Sequence, residues 1–96
     1  MIDFKTLKEL AQHLCILYVE DDEVLRTKTA RIFSNLFKHV DIAQDGNIGL
    51  HLYSEYHLNT NEYYDIVISD IQMPNLDGIG LSKAIFEINK EKFTFL

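Results

Sequence analysis

The chain has 96 residues, of which 47% are hydrophobic and 25% charged, enough for one domain with one core and too little for two. Its formal net charge is −6, and no Lys/Arg cluster could track a phosphate backbone, which argues against direct nucleic-acid binding. Apolar runs are short and the N-terminal MIDFKTLKELAQHL alternates charged with apolar residues, so neither a membrane span nor a signal peptide is expected and a cytoplasmic setting is.

Residues 3–14 put Phe4, Leu7, Leu10, Ala11 and Leu14 on one face, which predicts an amphipathic helix capped by Asp3. CILYV at 15–19 is a continuous apolar run with β-branched and aromatic members, the pattern of a strand covered on both faces, and it stops abruptly at EDDE. Residues 22–38 place Leu25, Thr29, Ile32, Phe33, Leu36 and Phe37 at helical spacing, with Arg26, Lys28 and Arg31 largely on the other side. Asp22 and Glu23 stand at that helix start, where acids suit the macrodipole.

HVDIA at 39–43 predicts a second strand, QDG a turn, and residues 47–58 a helix carrying Ile48, Leu52 and Tyr56 inward. After a polar NTNE, Tyr63 and Tyr64 are expected to cap the core. Ile66, Val67 and Ile68 then form a third buried strand that delivers Asp70, with Pro74 limiting the loop and Gly78 freeing the chain to enter the next helix. Ile79, Leu81, Ala84, Ile85 and Ile88 repeat at helical spacing, and FTFL opens a fourth strand.

Strands alternating with helices call for an α/β, doubly wound parallel sheet with right-handed connections. The single cysteine, Cys15, borders an apolar run and is expected to be a buried, reduced thiol. His13, His39, His51 and His57 show no metal spacing. Met73 is assigned to packing, and Asp45–Gly46 and Asp77–Gly78 to turns.

Open parallel sheets collect functional groups at the carboxyl ends of their strands. A flavodoxin-like order 2-1-3-4 would therefore bring Glu20 and Asp21, after the first strand, beside Asp70, after the third. Three ionised carboxylates a few ångström apart repel strongly, so some protonate or a cation joins them. Oxygen-only donors with room left for water favour Mg²⁺ over Ca²⁺. Asp70 is then the natural nucleophile toward phosphorus, with Glu20 and Asp21 as metal holders.

ILYVEDDEVLR together with DIVISDIQMPNLDGIGL resembles the receiver domain of two-component response regulators, of the chemotaxis-regulator type. The resemblance covers roughly residues 15–96, after an extra helix at 1–14. It implies Asp70 as the site of phosphorylation by a sensor histidine kinase, with Mg²⁺ held by Asp21 directly, by Glu20, often through water, by Asp70 and by the backbone carbonyl of Gln72. It also implies a signalling switch read by an effector domain or protein, without independent enzymatic turnover.

Two positions of the family pattern, a hydroxyl residue closing the fourth strand and a lysine closing the fifth, have no counterpart within residues 1–96. The domain is therefore expected to be truncated after the start of its fourth strand, with a possible homodimer through the sheet edge or the N-terminal helix. Two other readings compete. One is a phosphorylation-independent interaction module of the same fold. The other is a Mg²⁺-dependent phosphatase, which would place a second acid two residues after the nucleophile, where this chain has Gln72.

Overall fold

A computed structural model describes residues 3–70, 73 and 75–89, together with the backbone of residues 94–95. The elements follow one another as α1 (Phe4–Ala11), β1 (Cys15–Val19), α2 (Glu23–Leu36), β2 (His39–Ala43), α3 (Gly46–Thr60), β3 (Ile66–Ser69), α4 (Gly78–Ile88) and β4 (Thr94–Phe95). All strands pair in parallel in the order β2-β1-β3-β4, as expected.

β1 and β3 are the inner strands, and β1 is the more deeply covered, with Ile16, Leu17, Tyr18 and Val19 all buried. Alternation along the strand sends Leu17 and Val19 toward α3 and α4, where they join Tyr53, Tyr64, Val67, Leu81 and Ile85 in the core. On the opposite face Tyr18 meets Phe33 of α2 edge to face, with ring centroids 5.3 Å apart.

Each described helix begins with an aspartate cap. Asp3, Asp22, Asp45 and Asp77 accept from the backbone N–H groups of Thr6, Leu25, Ile48 and Gly80 at 2.7–2.9 Å. Four of the fifteen acidic residues thus stand at helix starts, where they satisfy otherwise unpaired donors and meet the positive dipole end. Replacing Asp77 by Ala is expected to lower the urea midpoint by the equivalent of about 1 kcal/mol, the ordinary cost of losing such a cap.

Several inward assignments are corrected. In α2 no residue is fully buried; Leu25 is 49% and Ile32 64% exposed, because the helix meets the sheet along a narrow line through Phe33. Arg26, expected on the solvated side, is half-buried. In α3 the buried residues are Gly46, Gly49 and Tyr53, so the inward face is rotated from the predicted one; Leu52 and Tyr56 flank it half-buried and Ile48 is exposed. The rotation follows from close packing on β1, where a Cβ at position 49 would sit 2.9 Å from Val19 Cγ2.

In α4, Leu81 and Ile85 are buried whereas Ile79 and Ile88 are exposed. Cys15 is half-buried rather than buried, at the open end of β1. Gly78 is buried and does not take a left-handed conformation. That role falls to Asn75 (φ 68°), whose side-chain Nδ2 donates to Asp45 Oδ2 at 3.0 Å. Pro74 lies outside the described residues.

α1 forms as predicted, though over Phe4–Ala11 rather than to Leu14. Only Ala11 of this helix is buried, and Phe4, Leu7 and Leu10 keep much of their surface open.

A candidate metal and phosphoryl site at the strand ends

Register decides which side chains meet. β1 and β3 pair in parallel with Val19 opposite Ser69, so the next residue on each strand, Glu20 and Asp70, leaves the sheet at the same height. The Glu20 N–H donates to the Ala43 carbonyl at 3.0 Å, which carries the β1–β2 pairing one step further and fixes where the acidic turn begins. Asp21 follows at once, before Asp22 caps α2.

The outcome is that Glu20, Asp21 and Asp70 each offer a carboxylate oxygen, all within 4.8 Å of one another, although fifty positions separate Glu20 from Asp70 in the sequence. Glu20 is 5% exposed whereas Asp21 and Asp70 face solvent. Burial pushes the Glu20 carboxyl above its ordinary range and the charge of Asp70 adds to the rise, against a backbone N–H bond from Asp22 to Glu20 Oε2 at 3.2 Å.

Two supporting groups escaped the sequence reading. The Arg26 guanidinium donates to the Glu20 carbonyl at 2.8 Å and to the Asp21 carbonyl at 3.4 Å, so it pins the turn through its backbone. Its only sequence signal is a cation one turn into the helix that follows the acids. Ser69 Oγ donates to the Asp70 carbonyl at 2.9 Å and contacts Met73 Sδ at 3.8 Å, which ties the β3 end to a methionine packed on the core.

The donor set is chemically uniform: three carboxylates, with no imidazole or thiol in the cluster. Hard oxygen donors, negative charge in excess and two solvent-facing members suit a small hard dication that retains water. Gln72, the fourth donor implied by the family resemblance, lies outside the described residues.

A parallel α/β sheet of order 2-1-3-4 carrying three acids at its strand ends is the architecture of a receiver domain. The chain belongs to the response regulator receiver domain family, whose sequence pattern it matches over residues 16–94. Protein RcaC of Microchaete diplosiphon is 40% identical over 68 residues, which cover 71% of this chain and 10% of that protein. Among solved structures, the N-terminal domain of an uncharacterized protein from Wolinella succinogenes superposes with a TM-score of 0.72 at 34% identity, over 85% of this chain and 60% of that one.

The receiver domain of the histidine kinase CKI1 from Arabidopsis thaliana, solved with Mg²⁺ and BeF₃⁻, gives a TM-score of 0.73 over 88% of this chain and 62% of that one. At 22% identity this is a likeness of fold. The chain thus spans about three fifths of these two solved structures and a tenth of RcaC. Among the described residues no helix is long and apolar enough to cross a membrane.

Proposed function

We propose that this chain is a phospho-accepting receiver in which Asp70 takes a phosphoryl group from a sensor histidine kinase and, so modified, alters a surface read by an effector domain or protein. The observation that carries the reading is the meeting of Glu20, Asp21 and Asp70 within 4.8 Å at the carboxyl ends of two adjacent strands. Residues 15–96 form the switching unit, residues 1–14 are a separate N-terminal segment that contains α1, and the setting is cytoplasmic.

Asp70 is held at the end of a strand whose Val67 is fully buried, so its backbone is fixed while its carboxylate faces solvent, where a donor can approach. One Asp70 oxygen forms the new O–P bond as the bond from phosphorus to the donor's imidazole nitrogen breaks, and the electron pair leaves with the imidazole. Glu20 and Asp21, with Asp70 and the Gln72 carbonyl, would hold Mg²⁺. When bound, that ion offsets the charge that otherwise keeps a carboxylate and a phosphoryl group apart.

Arg26 keeps the Glu20–Asp21 turn in place during the transfer. The product is an acyl phosphate on the protein itself, so a modification state results rather than turnover. It acts as a switch only if the modified carboxylate interacts differently with two conformations of the chain.

Incubation of the native chain with phosphoramidate and magnesium chloride, followed by intact-mass and peptide-mass measurement, tests the reading. One added phosphoryl group, alkali-labile and confined to the peptide containing Asp70, is expected. No adduct on the folded chain, or an adduct that survives Asp70→Asn, would overturn it.

A further inference from the structure

The chain that leaves Asp70 is fastened to a different part of the fold from the strand that delivers it. Asn75 Nδ2 donates to Asp45 Oδ2 at 3.0 Å, across thirty positions of sequence. The Leu76 carbonyl that follows lies directly on the first turn of α3, where a Cβ at Gly46 would fall 1.9 Å from its oxygen. Asp77 then caps α4, and on the other side of Asn75 the Met73 side chain packs against the core and meets Ser69 Oγ. The segment is thus held to the start of α3 by one side-chain bond and one backbone contact.

Asp45 is itself tied to the acidic turn. It stands two residues after Ala43, the end of β2, whose carbonyl accepts the Glu20 N–H at 3.0 Å. β1 in turn pairs with β3 up to Val19 and Ser69. The links close a circuit: from Glu20 to the end of β2, on to Asp45, across to Asn75, back along the chain to Asp70, and through β3 to β1. The Asp45–Asn75 step is the one made by side chains.

Neither residue is accounted for by its local conformation alone. Capping α3 needs one oxygen, and Asp45 Oδ1 supplies it to the Ile48 N–H at 2.9 Å; serine or asparagine caps as well. The left-handed backbone at Asn75 (φ 68°) is one that glycine adopts more readily. What an aspartate adds at position 45 is a second acceptor oxygen, and what an asparagine adds at position 75 is a donor that reaches it.

From this circuit we infer that Asp45 and Asn75 are positioning residues for the acid site, their bond holding the chain so that Asp70 keeps its place beside Glu20 and Asp21. The inference rests on the reading of Asp70 as phospho-acceptor. Neither residue belongs to the acid cluster, so their contribution is orientation. With the bond broken, the Asp70 carboxylate samples arrangements that suit neither a shared cation nor an in-line attack on phosphorus. Asn75 is exposed and Asp45 half-buried, and a single hydrogen bond at the surface adds little to folding, so its loss separates placement of the acid from stability.

Four variants test the inference. Asp45→Ser keeps a capping oxygen and Asn75→Gly keeps the left-handed backbone, and each removes the bond. Asn75→Asp sets two carboxylates against each other, and Asp45→Asn added to it restores one donor and one acceptor in exchanged places. Two quantities are measured on proteins that urea titration shows to be folded: the dissociation constant for Mg²⁺, from amide chemical shifts, and the rate of phosphorylation by phosphoramidate, from intact mass. In that reaction an Asp70 oxygen forms the O–P bond as the P–N bond breaks and ammonia leaves. The three bond-breaking variants should each bind Mg²⁺ about tenfold more weakly and react about tenfold more slowly, and the exchanged pair should return both to within about twofold of native. Native affinity and rate in Asp45→Ser and Asn75→Gly, or a loss that the exchanged pair does not recover, would overturn the inference and leave the phospho-acceptor reading standing. A native chain that takes no phosphoryl group would overturn both.

Discussion

Asp21→Asn is expected to stabilise the chain in magnesium-free buffer and to abolish its stabilisation by magnesium, a reversal of sign that simple structural damage does not produce. Without a cation the three carboxylates, within 4.8 Å of one another, oppose folding. At that separation an ionised pair costs about 3 to 4 kcal/mol at an effective dielectric near 20, and about 1 kcal/mol in bulk water. Asp21 and Asp70 face solvent, so the lower figure applies and the variant should gain about 1 kcal/mol.

With magnesium the order inverts. If the ion binds the folded chain alone, ten times its dissociation constant adds about 1.4 kcal/mol to the native protein, whereas the variant has lost a ligand and should gain almost nothing. Urea titrations of both proteins, with magnesium chloride and with a chelator, give the four midpoints needed. A magnesium gain in Asp21→Asn equal to that of the native chain would remove the cation from the site. The burial of Glu20 makes the contrast sharper, because a carboxyl pushed above its ordinary range by desolvation and by Asp70 is one that a bound dication relieves.

The strands were legible because their pattern is uninterrupted. CILYV and HVDIA have the boundaries of β1 and β2, and β1, buried from Ile16 to Val19, leaves no alternation to misread. The convergence of Glu20, Asp21 and Asp70 was legible once the strand order was, because parallel register fixes which strand ends are neighbours. Helix starts were legible through their aspartates, although Asp45 and Asp77, read as turn residues, proved to be caps.

Helix faces were less legible. Periodicity places apolar residues on a stripe, but the line of closest approach depends on what the neighbouring strand allows. In α3 two glycines, carrying no hydropathy signal of their own, set that line and bring Tyr53 inward. In α2 the apolar stripe is wider than the surface that covers it, so Leu25 and Ile32 remain open. Arg26 was hidden for a related reason, since its contacts are with backbone carbonyls that leave no mark in side-chain pattern.

The glycines of α3 and α4 supply the largest expected effect on stability. A Cβ at Gly46 would lie 1.9 Å from the Leu76 carbonyl oxygen and 2.7 Å from its carbonyl carbon, both backbone atoms of the segment that leads into α4. That segment cannot yield locally, because Asn75 is bonded to Asp45 and Asp77 caps the helix. Gly46→Ala is therefore expected to cost about 3 kcal/mol or more, the range of a severe steric insertion into a packed interior. At Gly49 the clash is with a buried, β-branched side chain, Val19 Cγ2 at 2.9 Å, which predicts a smaller loss of about 1 to 2 kcal/mol. At Gly80 the nearest atom is the end of the Leu76 side chain at 2.7 Å; a rotamer change relieves it and the better helix propensity of alanine offsets the strain, so the variant should lie within about 1 kcal/mol of native. Urea midpoints of the three variants should fall in the order Gly46, Gly49, Gly80 from most to least destabilised. A Gly46→Ala protein as stable as Gly80→Ala would mean that α3 and the loop before α4 do not approach as closely as these distances require.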